Sequence, residues 1–196
     1  MSTAARIATY DDLLAWPEEA RVELIAGVVV TAPAPLPRHA NPQRGLGRFL
    51  GGPFHDDDGF GGPGGWWIFP EVDVRFTPHD VLRPDLAGWR RARLTAPDVR
   101  PIEVVPDWVC EILSPSTASR DRVHKRRLYA QCGVASYWVV DPDARTLEAF
   151  SLENGHWVDA GAFDEEANAR IAPFEAVELA VGRLFLPREG EKADAG

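Results

Sequence analysis

Trp108-Val109-Cys110-Glu111-Ile112-Leu113-Ser114-Pro115 is the stretch on which the rest of the reading depends. A short apolar run bounded by Asp107 before and Ser-Pro after reads as a buried strand, and one carboxylate, Glu111, interrupts it. An ionised carboxylate so placed is costly unless a cation or several hydrogen bonds meet it. The polar segment that follows supplies the cation. Asp121, Lys125 and Tyr129 are spaced four apart and share one face if the segment is helical. A buried acid on a strand, followed by a helix that turns an ammonium inward, is the layout of a metal-dependent hydrolytic site.

The chain has 196 residues, 45% of them hydrophobic, enough to bury one sizeable core. We expect a single domain over 1–187 and a disordered polar tail from Arg188 to Gly196. No apolar run approaches the roughly 20 residues of a bilayer span, and Met1 to Arg6 has no signal-peptide core, so a cytoplasmic protein without a membrane partner is expected. Cys110 and Cys132 read as buried thiols rather than a disulfide or a zinc site. A net charge of −9 argues against nonspecific coating of nucleic acid, which depends on Lys and Arg. Arg90-Arg91-Arg93 and the run from Arg120 to Arg127 are nevertheless locally basic, and a basic helix beside an acidic metal site suits a phosphodiester.

Along the chain, Thr9 with Asp11 and Asp12 opens a short helix through Trp16. Val22-Glu23-Leu24-Ile25 and Val28-Val29-Val30 flank Ala26-Gly27 as an N-terminal hairpin that places Glu23 inside a strand. A proline-rich connector from Ala32 leads to a helix over His39–Leu50, with His39 at its start. Gly51 to Gly65 reads as loop. Trp66–Phe69 and Val72–Phe76 read as strand, and Val81 to Trp89 as one further strand bent at Pro84, with Asp85 just beyond the bend. Consecutive strands are usually neighbours, so Asp85 and Glu111 can approach each other, and two close carboxylates call for a cation between them. The helix from about Ser119 ends at Gly133, Tyr137–Pro142 is another buried strand, and Asn154-Gly155 turns a C-terminal hairpin. Asp164 to Arg170 reads as loop. Strands first, then strand, helix and strand, then a hairpin, describe a mixed α/β sheet.

Several of these segments together resemble a known family. Glu23-Leu24-Ile25-Ala26-Gly27, Pro37-Arg38-His39, Arg83-Pro84-Asp85, Glu111-Ile112-Leu113-Ser114-Pro115-Ser116-Thr117, Asp121 with Lys125 and Tyr129, and Tyr137-Trp138-Val139-Val140-Asp141-Pro142 look like the Uma-type restriction endonuclease family of the PD-(D/E)XK nuclease superfamily. The resemblance runs from Tyr10 to Pro187. It implies a restriction-endonuclease-like fold, a central mixed sheet flanked by helices, with a Mg²⁺-dependent site, Mn²⁺ as substitute, that cuts DNA. By matching motifs, Asp85 and Glu111 would be metal ligands, with a backbone carbonyl near Ile112. Glu23 would be a further ligand and His39 a phosphate contact or proton carrier. The superfamily's lysine normally stands two residues after the second acid, where this chain has Leu113; Lys125 is the replacement. Tyr129 would hydrogen-bond the cluster and Asp121 would hold Lys125. By analogy with enzymes that cut both strands, a homodimer is one expected arrangement. A catalytically silent binding module on the same scaffold is the alternative that the net charge and displaced lysine keep open.

Overall fold

Two large sheets and a two-stranded one carry the chain in the computed structural model, which describes residues 6–17, 20–56, 62–114 and 121–188. The first begins as the expected hairpin. β1 (Val22–Ile25) and β2 (Val28–Thr31) pair antiparallel through Ala26 and Gly27, whose φ values of 48° and 73° are the positive ones a tight two-residue turn needs. α1 (Tyr10–Leu13) precedes them, its start tied by Asp12 accepting the Thr9 N–H at 2.8 Å. β4 (Val74–Thr77) and β5 (Asp80–Leu82) complete a four-stranded sheet of order β2-β1-β5-β4.

The second sheet has six strands in the order β10-β9-β8-β7-β6-β3. β7 (Trp108–Ile112) lies inside it, antiparallel to β6 (Leu86–Arg90) and parallel to β8 (Ser136–Asp141). A parallel pair needs a crossover, and the segment after β7 provides it. It winds as a π-helical turn over Asp121–Lys125 and then as α3 (Arg126–Cys132), which stops where Gly133 takes φ 81°. β7 is buried on both faces. Trp108, Cys110 and Ile112 join the core that contains Leu46, Leu50, Phe54, Trp138 and Phe174, while Val109 and Leu113 pack with Tyr129, Tyr137 and Val139.

The expected single strand from Val81 to Trp89 is in fact two. β5 ends at Leu82 in the first sheet, β6 begins at Leu86 in the second, and Pro84 and Asp85 make the crossing. Pro84 has no N–H to give a ladder, so the chain changes sheets there. The pair Trp66–Phe69 and Val72–Phe76 divides in the same way between β3 (Trp66–Pro70) and β4.

The helix after the proline-rich connector, α2 (Pro37–Leu50), starts with Pro37 at its first position, where a missing N–H costs nothing. Gly45, a poor helix former, is explained by contact: an added Cβ would lie 2.9 Å from Leu184 Cδ2. The loop expected from Gly51 instead starts as a π-helical turn, Gly51–Asp56, because Phe54 is drawn into the core against Phe174, ring centroids 4.8 Å apart.

β9 (Thr146–Glu153) and β10 (His156–Asp164) form the C-terminal hairpin about Asn154-Gly155. Within the stretch expected as loop, Asn168–Ala169 (β11) pairs with Leu179–Ala180 (β12). Cys110 is buried and free; Cys132, expected buried, is only half-buried. Among the described residues no helix is long and apolar enough to cross a membrane. The tail expected to be disordered lies, from 189 on, outside the described residues.

Candidate active site

Lys125 is where the site is tied together. The π-helical turn brings its ammonium back under the sheet, 2.9 Å from Glu23 Oε1 and 3.1 Å from Glu111 Oε1, with Lys125 only 5% exposed. Glu111 is 2% exposed and also accepts the Tyr129 hydroxyl from one turn further along α3. Burial first, and the Glu111 charge second, push the Tyr129 phenol well above its usual range, so it remains a donor. The costly acid of β7 is therefore met by an ammonium and a hydroxyl from the segment the sequence nominated. Asp121 opens the same π-helical turn, but its side chain lies outside the described ones.

Glu23 comes from β1 of the other sheet. It is buried, and the backbone N–H of Arg83 donates to its Oε1 at 2.9 Å. The Arg83 side chain is itself held by Asp73 at 2.8 Å, and Arg100 takes the other Asp73 oxygen at 2.7 Å. Sequence reasoning missed this support. Its only signal was Asp73 at a polar position of the alternating run Val72–Phe76, upstream of the motif that contains Arg83.

Asp85 sits at the crossing between sheets. Its Oδ2 accepts the Ile112 N–H at 2.6 Å, which fastens it to the end of β7, and its Oδ1 faces His39 Nε2 at 3.4 Å. His39 is the third residue of α2. Burial works against a charged imidazole there, but the hydrogen bond and charge of Asp85, with help from the Ile112 carbonyl, outweigh it and raise the pKa above the ordinary histidine value. His39 Nδ1 is buried and meets no hydrogen-bond partner among the described residues.

Glu23, His39, Asp85, Glu111, Ile112 and Lys125 all line one cavity of about 430 Å³, whose remaining wall includes Ala32–Leu36 of the proline-rich connector. The two acids expected to converge do share it. Arg38 and Asp143, paired at 3.0 Å, close one side.

The family model described as Uma2, Putative restriction endonuclease, matches residues 10–182. This chain belongs to the Uma2 family. A solved structure described as a putative nuclease belonging to DUF820, from Anabaena variabilis, is 23% identical with a TM-score of 0.67, over 90% of this chain and 96% of that one. The likeness establishes the fold, which is restriction-endonuclease-like. No match was found among curated proteins.

In this Uma2 chain the ammonium at the site comes from the crossover and not from the strand that carries Glu111. Leu113 occupies the place two residues beyond Glu111 and packs in the apolar cluster with Val109 and Tyr129, while Lys125 delivers an ammonium to the same carboxylate from the crossover. The donor set on the cavity wall suits a hard divalent cation: two carboxylates, Asp85 and Glu111, and the carbonyl end of β7 at Ile112. Among the described residues no cluster of three His, Cys, Asp or Glu is arranged to hold a metal, so such an ion would keep several of its waters.

Proposed function

We propose that this Uma2 member is a metal-dependent endonuclease that hydrolyses DNA phosphodiester bonds. The observation that carries the reading is the convergence of Glu111, Asp85 and the buried Lys125 ammonium on one cavity, from three parts of the chain. A nuclease role is also what the family description names. Asp85, Glu111 and the Ile112 carbonyl would hold Mg²⁺, with Mn²⁺ as substitute. Once bound, such an ion polarises a phosphoryl oxygen and lowers the pKa of water at the site.

The chain's own residues do the rest. Lys125 places positive charge where the phosphorane builds negative charge, and Glu23 and Glu111 keep it from swinging away, while Tyr129 donates to Glu111. His39, whose pKa the neighbouring Asp85 raises, would donate to a phosphate oxygen or pass a proton to the leaving oxygen. Arg83 and Asp73 act on Glu23 and so position Lys125 indirectly.

The test is plasmid nicking by the purified protein. We expect cutting with Mg²⁺ or Mn²⁺, none in chelator, and none with Asp85→Ala or Glu111→Ala. A second reading, a silent nucleic-acid-binding module, draws on the internal pairing of Glu111 with Lys125 and of Asp85 with Ile112. DNA binding with no cutting under either metal would select it. Size-exclusion with light scattering decides whether the protein cuts as a homodimer.

A further inference from the structure

Among the described residues, four Lys and Arg side chains line the catalytic cavity, and three of them are locked in place. Lys125 is buried between Glu23 and Glu111, Arg83 is held on the buried Asp73, and Arg21 grips Glu71 through both terminal nitrogens at 2.8 Å. Drawing either of the first two onto a ligand would strand a buried carboxylate, and drawing off the third would break a two-pronged pair. Arg38 is different. Its Nη1 meets Asp143 Oδ1 at 3.0 Å, the two side chains are 47% and 56% exposed, and among the described residues neither has a second partner. An exposed pair joined by one bond adds little stability and exchanges readily.

The fold does not depend on this pair. The turn after β8 is shaped by Asp141, whose Oδ1 accepts the N–H groups of Asp143 at 3.0 Å and Ala144 at 2.9 Å, so it needs nothing from the Asp143 carboxylate. α2 is fixed by other contacts: Asn41 donates to the Leu184 carbonyl at 2.8 Å, Gln43 donates to the Asp85 carbonyl at 2.9 Å, and Gly45 lies against Leu184.

What the pair has is position. Arg38 directly precedes His39, whose Nε2 faces Asp85 Oδ1 at 3.4 Å, and Asp143 lies just past the end of β8, the parallel neighbour of the strand that carries Glu111. A carboxylate on the wall of a cavity that takes a polyanion works against binding unless it has another task. Holding a guanidinium ready on that wall is such a task. The arginine fork matches phosphate oxygens two at a time, and its one bond to Asp143 leaves the rest of the fork open.

We infer that Arg38 is the contact for a backbone phosphate next to the one at Asp85 and Glu111, and that Asp143 holds it in reserve and gives it up as the DNA enters. This rests on the nuclease reading for the identity of the ligand.

The experiment is fluorescence anisotropy of the full chain with a labelled blunt DNA duplex in EDTA, where nothing is cut. The two halves of the pair are expected to shift affinity in opposite directions. Arg38→Ala should weaken binding roughly tenfold, a value typical of one charge-assisted contact, and flatten the plot of log affinity against log salt by about 0.9, the increment for one phosphate of a duplex. Arg38→Lys, which keeps the charge without the fork, should recover part of the loss. Asp143→Asn should tighten binding about threefold, as a weak exposed competitor is removed, whereas Glu153→Gln, at an exposed acid outside the cavity wall, should change nothing. In the double variant the gain from Asp143→Asn should vanish, because the carboxylate acts through Arg38. Both residues are exposed, so melting temperatures should stay within about 2 °C of the wild type. Affinities that fall together with the melting temperature in both single variants mark a structural pair and overturn the inference. So does an Arg38→Ala variant with unchanged affinity and salt slope, or an Asp143→Asn gain that persists without Arg38, which is plain charge repulsion. Mg²⁺-dependent cutting measured in parallel keeps the two ideas apart. With cutting, Arg38→Ala should raise KM and leave kcat nearly unchanged; cutting with both constants unmoved overturns the contact and spares the nuclease, whereas opposite affinity shifts without cutting spare the contact and overturn the nuclease.

Discussion

Lys125 is the side chain on which both stability and chemistry turn. It is buried between two carboxylates, so removing it strands two negative charges away from water. Breaking a buried pair in this way costs about 3–5 kcal/mol, more than most single substitutions. Lys125→Met is therefore expected to lower the urea-unfolding free energy by about 3 kcal/mol and to abolish nicking, and adding Glu111→Gln should restore part of the stability without the activity. A Lys125→Met protein as stable as the wild type would mean that the ammonium is not held where the structure has it. Tyr129→Phe is the informative contrast. The ring keeps its contacts with Phe76 and Tyr137, at centroid distances of 5.2 and 5.5 Å, and only the hydroxyl to Glu111 is lost. A loss of about 1–2 kcal/mol in urea unfolding is expected, with nicking slowed less than tenfold because Lys125 still has Glu23 and Glu111 as anchors.

At the scale of elements, the device that delivers Lys125 and Tyr129 is the crossover from β7 to β8, and its end is set by Gly133. The residue has φ 81°, and an added Cβ there would meet nothing within 4 Å, so Gly133→Ala carries backbone strain and no clash. We expect it to cost about 1 kcal/mol in thermal or urea unfolding and to leave nicking unchanged; a large loss of activity would show that the crossover's end, not only its side chains, sets the site. This crossover was readable in advance because its signals are local: an apolar run, a four-residue spacing of polar groups, and a glycine stop. β1, β2 and the Asn154-Gly155 hairpin were readable for the same reason. What escaped depends on distant partners. The turn at Gly51–Asp56 exists because Phe174, far along the chain, offers Phe54 a place in the core. The division of Val81–Trp89 between two sheets depends on which strands lie on either side, and Pro84 alone signals only a bend. The brace from Asp73 through Arg83 to Glu23 joins three segments that no sequence spacing relates.

For the whole molecule, the site is a point where two sheets meet and where negative charge is left over. Glu23 comes from one sheet, Glu111 from the other and Asp85 from the chain between them, and Lys125 offsets only part of the three acids. An ion held by Asp85 and Glu111 would relieve that repulsion in the folded state alone, so it should stabilise folding by mass action. At a free concentration a hundredfold above Kd this amounts to about 2.7 kcal/mol, which for a chain of this size raises the melting temperature by roughly 5–10 °C. Differential scanning fluorimetry of the metal-stripped protein, before and after addition of Mg²⁺ and then of Mn²⁺, measures it without reference to cutting. Asp85→Asn and Glu111→Gln should each lose the rise, while Gly133→Ala should start lower and keep it in full. A rise that survives both carboxylate substitutions would put the ion elsewhere on the molecule and leave the convergence of these acids without the metal it is proposed to hold.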